Sequence, residues 1–87
     1  MRLDKYLKNA RLIKRRTVAK EACDGGRVTV NGKVAKAGTD VSVGDRLAIT
    51  FGNRRLTVEV TDVKESVRKE DAPGMYAVLS DERLSPE

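Results

Sequence analysis

The chain has 87 residues, 36% of them charged, with a net charge of +5, no histidine, no tryptophan and one cysteine. A lone Cys23 closes no disulfide, and the missing histidines remove both the usual zinc ligands and the commonest general base at neutral pH. No apolar run approaches the roughly 20 residues that span a bilayer, and the charged N-terminus lacks the apolar core of a secretory signal. The expectation is a single cytoplasmic domain with no cofactor, no metal and no membrane contact. Tyr6, Phe51 and Tyr76 are the whole aromatic set, too few for a platform that stacks single-stranded bases. The core must come from Val, Leu, Ile and Ala.

The charge is unevenly spread. Residues 1–36 hold 11 Lys/Arg against Asp4, Glu21 and Asp24, a balance of +8, whereas residues 37–87 balance at −3. A basic half joined to a mildly acidic one implies an oriented surface, one side of which faces a polyanion. A solvated charged face is the plain alternative.

Leu3, Leu7 and Ala10 recur at helical spacing with Tyr6 beside them, which predicts a short helix over about residues 3–10. Asp4 falls in its first turn, where a carboxylate favours the positive helix end or pairs with a nearby arginine. Lys5 and Lys8 lie off the stripe and should face water. Leu12-Ile13 should anchor the connection that leads into Lys14-Arg15-Arg16. Thr17 is the expected N-cap of a second helix, with Val18, Ala19, Ala22 and Cys23 on its buried stripe. Arg16 and Lys20, four apart, share the opposite face. Asp24-Gly25-Gly26 supplies a glycine for a left-handed cap.

Val28 and Val30 then mark one face of a short strand, and Asn31-Gly32 is a strong hairpin signal. Ala37 to Asp40 is read as a loop, and Gly44-Asp45 as a turn. Leu47, Ile49 and Phe51 alternate inward, and Gly52-Asn53 turns the chain into Leu56, Val58 and Val60. Residues 64–74 read as a short helix or loop ending at Pro73-Gly74. Met75 to Leu79 reads as a last strand, with a frayed polar tail from Ser80 onward. The fold class is α+β: two short basic helices on a small, mostly antiparallel sheet with an added C-terminal β-hairpin or strand. The helical region and first strands, 1–63, form the binding unit. Residues 64–87 are the C-terminal strand and tail of the same domain.

The candidate site is a basic patch of Arg2, Lys5, Lys8, Arg11, Lys14, Arg15, Arg16 and Lys20, with Arg27 at its margin. Thr17 adds the N–H groups that open the second helix. Arginine forks suit phosphate oxygens, and helix N-termini attract anions. Nothing in the pattern reads base edges, so shape and backbone recognition of A-form RNA is expected.

Taken in order, Arg2-Leu3-Asp4-Lys5-Tyr6-Leu7, Arg15-Arg16-Thr17-Val18-Ala19-Lys20, Gly26-Arg27-Val28-Thr29-Val30-Asn31-Gly32 and Val43-Gly44-Asp45 closely resemble the S4 RNA-binding domain family over roughly residues 1–50. The resemblance implies an αL motif whose two helices and following strand form the RNA surface. It carries over to Arg2, Arg15, Arg16 and Lys20 first, and to Arg11 and Lys14 second. A small S4 chain with no catalytic domain and no long basic C-terminal extension looks most like the ribosome-associated quality-control factors of the RqcP group. That would imply a monomer binding the large ribosomal subunit, with 23S rRNA, P-site peptidyl-tRNA and an RqcH-like tailing factor as partners. The alternatives are a recycling factor of the related fifteen-kilodalton heat-shock type, or a small RNA-modifying enzyme or its accessory domain. For an enzyme the candidates are Asp4, Asp24, Asp45 and Cys23, each with a simpler structural explanation, so none is taken as catalytic. A membrane-surface role would need the apolar stripes that the core already requires. Arg68, Lys69 and Arg83 have no assigned role.

Overall fold

The computed structural model describes residues 1–65 and 68–83. Turn chemistry and alternation lay out its sheet. Strands β1 (Val28–Val30) and β2 (Lys33–Val34) are joined at Asn31-Gly32. Both turn residues are left-handed, with φ of 52° and 86°, as a tight hairpin matched to the strand twist requires. Strand β3 (Arg46–Phe51) pairs with the other side of β1, and β4 (Arg54–Val60) returns along β3 after Gly52-Asn53. Strand β5 (Tyr76–Arg83) closes the order β2-β1-β3-β4-β5, antiparallel throughout. The register sets Val28 opposite Ile49, and Leu47 opposite Val58.

Helices α1 (Leu3–Asn9) and α2 (Arg16–Asp24) pack on one face of this sheet. Leu3, Tyr6, Leu7 and Ala10 from α1 meet Ala19, Ala22 and Cys23 from α2 over Val28, Leu47, Ile49, Val58 and Val60. Burying a Leu or Ile side chain in this layer contributes roughly 2 kcal/mol relative to leaving it in water. The small Ala19, Ala22 and Cys23 let α2 approach closely.

A 3-10 helix, Lys69–Met75, connects β4 to β5 and is tied to α1. The buried Tyr6 Oη donates to the Met75 carbonyl at 2.6 Å. Burial, aided by the charges of Tyr76 and Asp62, pushes the Tyr6 hydroxyl far above the usual phenol range, so it remains a donor.

Several expectations are corrected. Val18 is 47% exposed, because Ala19, Ala22 and Cys23 alone make the buried stripe of α2. Thr17 is not the N-cap: the helix begins at Arg16, Arg15 holds the cap position, and no side chain caps it. Phe51 is exposed, since the hairpin runs past the layer that the helices cover. Of the short helix or loop expected over 64–74, the helix is found, as a 3-10 helix that runs through Pro73-Gly74 to Met75 rather than ending there. The strand expected over Met75 to Leu79 runs instead to Arg83, so the tail expected to fray from Ser80 is paired with β4 up to that point. The rest of that tail, 84–87, lies outside the described residues.

Candidate nucleic-acid interface

The two helices end and begin differently, and that positions the cations. The N-terminal N–H groups of α1 are used by the fold. Leu3 donates to the Thr39 carbonyl at 2.8 Å and Asp4 to the Ala37 carbonyl at 3.1 Å. At the start of α2, by contrast, the N–H groups of Arg16, Thr17 and Val18 have no acceptor among the described residues, and no side chain caps them. Open N–H groups and the positive helix end favour an anion there.

Asp4 organises the residues around that end. It is 2% exposed, in the middle of a basic surface. Its carboxylate accepts from the Lys5 N–H at 2.8 Å, from Arg2 Nε at 3.1 Å and Nη2 at 3.4 Å, and from Arg16 Nε at 3.4 Å. Burial works against its charge, but the hydrogen bonds from Arg2, Lys5 and Arg16 and the Arg16 charge outweigh it. The carboxyl is held below its ordinary range. Asp4 is therefore an ion-pair partner, as anticipated. Arg2 and Arg16 spend part of their forks on it and keep their remaining donors for solvent or a ligand, their side chains being about half exposed (54% and 49%). Arg2, Asp4, Arg16, Thr17 and Lys20 line one open hollow.

A second hollow lies at the other end of α1, lined by Lys8, Arg11, Lys14 and Lys69. Its geometry comes from how α1 stops. The Leu12 N–H bonds to the Leu7 carbonyl at 3.0 Å, and the Arg11 N–H to that of Lys8 at 3.0 Å. This double bond pattern places residue 11 in the left-handed region, and Arg11 has φ of 60°. The same motif closes α2, through Arg27 to Ala22 and Gly26 to Cys23, and there the left-handed residue is Gly26, with φ of 80°. The chain thus places glycine at one such cap and arginine at the other.

The predicted patch is therefore divided. Arg2, Arg16, Thr17 and Lys20 come together, and so do Lys8, Arg11 and Lys14. Lys5 is only one-third exposed and pairs with Glu65, so it is not the free cation expected. Arg15 and Arg27 are exposed at either end of α2, outside both hollows. Lys69 was missed. No local pattern marks it, because the 3-10 helix that carries it reaches α1 only through tertiary packing.

The S4 domain family matches residues 1–47, which contain both helices, the hairpin and most of the residues around the two hollows. The chain belongs to the S4 domain family. Among S4 proteins it is 62% identical over 85 residues to the RQC P-site tRNA stabilizing factor of Halalkalibacterium halodurans, covering 98% of this chain and 97% of that one. It is 57% identical over 84 residues to the protein of the same name from Streptococcus pneumoniae, covering 97% and 96%. The solved structure of heat shock protein 15 from Vibrio cholerae, described as trimeric, matches with a TM-score of 0.85 at 30% identity, over 92% of this chain and 82% of that one. The S4 resemblance and the α+β fold are both borne out, and the sheet is antiparallel throughout. Among the described residues, no helix is long and apolar enough to cross a membrane.

Proposed function

We propose that this S4 protein is a non-enzymatic RNA-binding factor of ribosome-associated quality control. It binds the large ribosomal subunit in the cytoplasm, contacts 23S rRNA and P-site peptidyl-tRNA, and supports C-terminal tailing of stalled chains by an RqcH-like factor. The name shared by its bacterial relatives, RQC P-site tRNA stabilizing factor, supports the tRNA and the pathway. The observation that carries RNA binding is the Asp4-centred cluster, where two arginines are oriented by one buried carboxylate beside an uncapped helix end. Residues 1–63 form the S4 RNA-binding domain and 64–87 the C-terminal strand and tail of the same single domain, which works as a monomer.

The chemistry of the candidate nucleophile and bases favours a binder over an enzyme. Cys23 is fully buried, and burial, with the charges of Asp4 and Asp24, pushes its thiol up to about 11. A thiol so held is protonated at neutral pH and a poor nucleophile. Asp4 is committed to arginines, and Asp45 accepts from the Ser42 N–H and Asn31 Nδ2 at the entry to β3.

The test is co-sedimentation with purified large subunits. Arg16→Ala should weaken binding about tenfold, equivalent to roughly 1.4 kcal/mol, while circular dichroism stays native. The difference should shrink as salt rises, since fewer counterions are released. Unchanged co-sedimentation of Arg16→Ala would count heavily against this function.

A further inference from the structure

Lys8, Arg11 and Lys14 come from the end of α1 and the link to α2. Lys69 comes from the 3-10 helix, far along the chain and outside the residues that match the S4 family. The four line one hollow with no acidic residue among them. Among the ion pairs of the described residues, none involves any of the four. That contrasts with the first cluster, where a buried carboxylate offsets the cations. The backbone supplies an independent pointer. Arg11 occupies a left-handed cap position that glycine fills without strain. The helix-ending hydrogen bonds demand the left-handed conformation, and arginine kept where glycine would relieve it points to a use for the side chain.

We propose that Lys8, Arg11, Lys14 and Lys69 form a second phosphate subsite, which takes a backbone phosphate of the same structured RNA. The proposal rests on the RNA-binding function above and deepens it. Arg2 and Arg11 lie nine positions apart, just beyond the two ends of α1 and on the order of 13 Å at helical rise, so the two hollows suit separate backbone phosphates. The chain grips the RNA backbone at two points set by the length of α1. The segment between β4 and β5 then has a role: it carries Lys69 to the RNA, and the Tyr6 to Met75 hydrogen bond fixes its seat on α1.

The experiment titrates the full-length chain against an in vitro transcribed tRNA over a range of potassium chloride concentrations. Five proteins are compared: wild type, Lys69→Ala, Lys69→Arg, Arg55→Ala and Arg16→Ala. Arg55 is an exposed cation on β4 that lines neither basic hollow. Lys69→Ala should weaken binding roughly threefold to tenfold at low salt and make the slope of log affinity against log salt shallower by about one. Lys69→Arg should restore both, and Arg55→Ala should match wild type. A Lys69→Ala protein that binds like wild type overturns the subsite. So does an equal loss in Arg55→Ala, which would reduce the effect to overall charge. If Arg16→Ala binds unchanged while Lys69→Ala weakens, the Asp4-centred reading fails and the second subsite stands. If wild type does not bind the tRNA, both fall.

Discussion

Asp4→Asn is the sharpest probe of the first cluster, because asparagine keeps the shape, removes the charge and exchanges one acceptor oxygen for an NH2 donor. The carboxylate accepts one backbone N–H and three guanidinium N–H contacts. The amide oxygen can still accept from Lys5, but the new NH2 sets a donor against Arg2 Nη2 and Arg16 Nε, and that lost acceptor costs about 1 kcal/mol net. The arginine pairs must be discounted, since both side chains are about half exposed and regain water when released. About 0.5 kcal/mol each is appropriate to partly exposed pairs. The loss is then about 2 kcal/mol, or roughly 8 to 16 °C in melting temperature for a domain of this size. The pH dependence gives a second reading. A carboxyl depressed in the fold contributes its stability fully above the unfolded value, near 3.8, and loses it as pH falls through the lower folded value. Asp40, Glu65 and Asp81 are depressed too, so wild type loses stability in acid for several reasons. The gap between wild type and Asp4→Asn isolates Asp4, and it should narrow below about pH 4. Thermal unfolding by circular dichroism from pH 7 to pH 2.5 measures it. A gap under 2 °C at pH 7, or one that stays constant into acid, refutes the account. Affinity for tRNA should fall about threefold although the variant loses a negative charge, because Arg2 and Arg16 lose their shared anchor. Tighter binding would show that charge, not placement, governs the site.

Tyr6→Phe removes the donor to the buried Met75 carbonyl. That carbonyl also accepts the Thr61 N–H at 2.9 Å, so it keeps a partner, and losing the hydroxyl should cost about 1 kcal/mol, read as a lower urea midpoint with unchanged slope. Because the 3-10 helix is then less firmly seated, the Lys69 contribution to tRNA binding should weaken as well. Arg11→Gly should raise stability by about 0.5 to 1 kcal/mol through relief of the left-handed backbone, even after the greater chain entropy of glycine is counted. The same variant should bind tRNA several-fold less tightly. Thermal melts and titration together check this, and a destabilised Arg11→Gly would remove the argument from strain.

The parts of the fold legible in the sequence are those where one local rule decides. Leu3, Leu7 and Ala10 lie on a helical stripe whatever packs above them. Asn31-Gly32 is a hairpin turn because both residues tolerate positive φ. Alternation places Leu47 with Ile49 and Val58 with Val60 on one face. Val18 and Phe51 were misread because periodicity gives the direction of a face and not its edge. Val18 lies one residue outside the stripe of Ala19, Ala22 and Cys23, and Phe51 has the right parity but sits past the end of the helical layer. Strand β5 outruns its apolar residues because an edge strand has one paired side and tolerates polar residues. Arg54 and Asp81 even link it to β4, at 2.7 and 2.5 Å. In the candidate site, residue types and spacing gave the cations of the helices. They could not show that Asp4 is buried among them, that Lys5 turns aside to Glu65, or that Lys69 arrives from 55 residues beyond Lys14.

The two basic clusters solve one problem in different ways. Cations gathered for an anionic ligand repel one another and, being long, lose much freedom when the ligand orders them. At the first cluster Asp4 relieves the repulsion and fixes the arginine shafts through Nε, which leaves other guanidinium N–H donors facing outward. The site loses some net charge and gains orientation. At the second, no carboxylate among the described residues pairs with the cations. Orientation comes from the backbone, through the left-handed Arg11 and the seat of the 3-10 helix on Tyr6. The first should therefore contribute more to geometry and the second more to salt-dependent attraction. Removing Asp4 and removing Lys69 should accordingly differ in their signature, the one changing affinity with little change in salt slope, the other changing both.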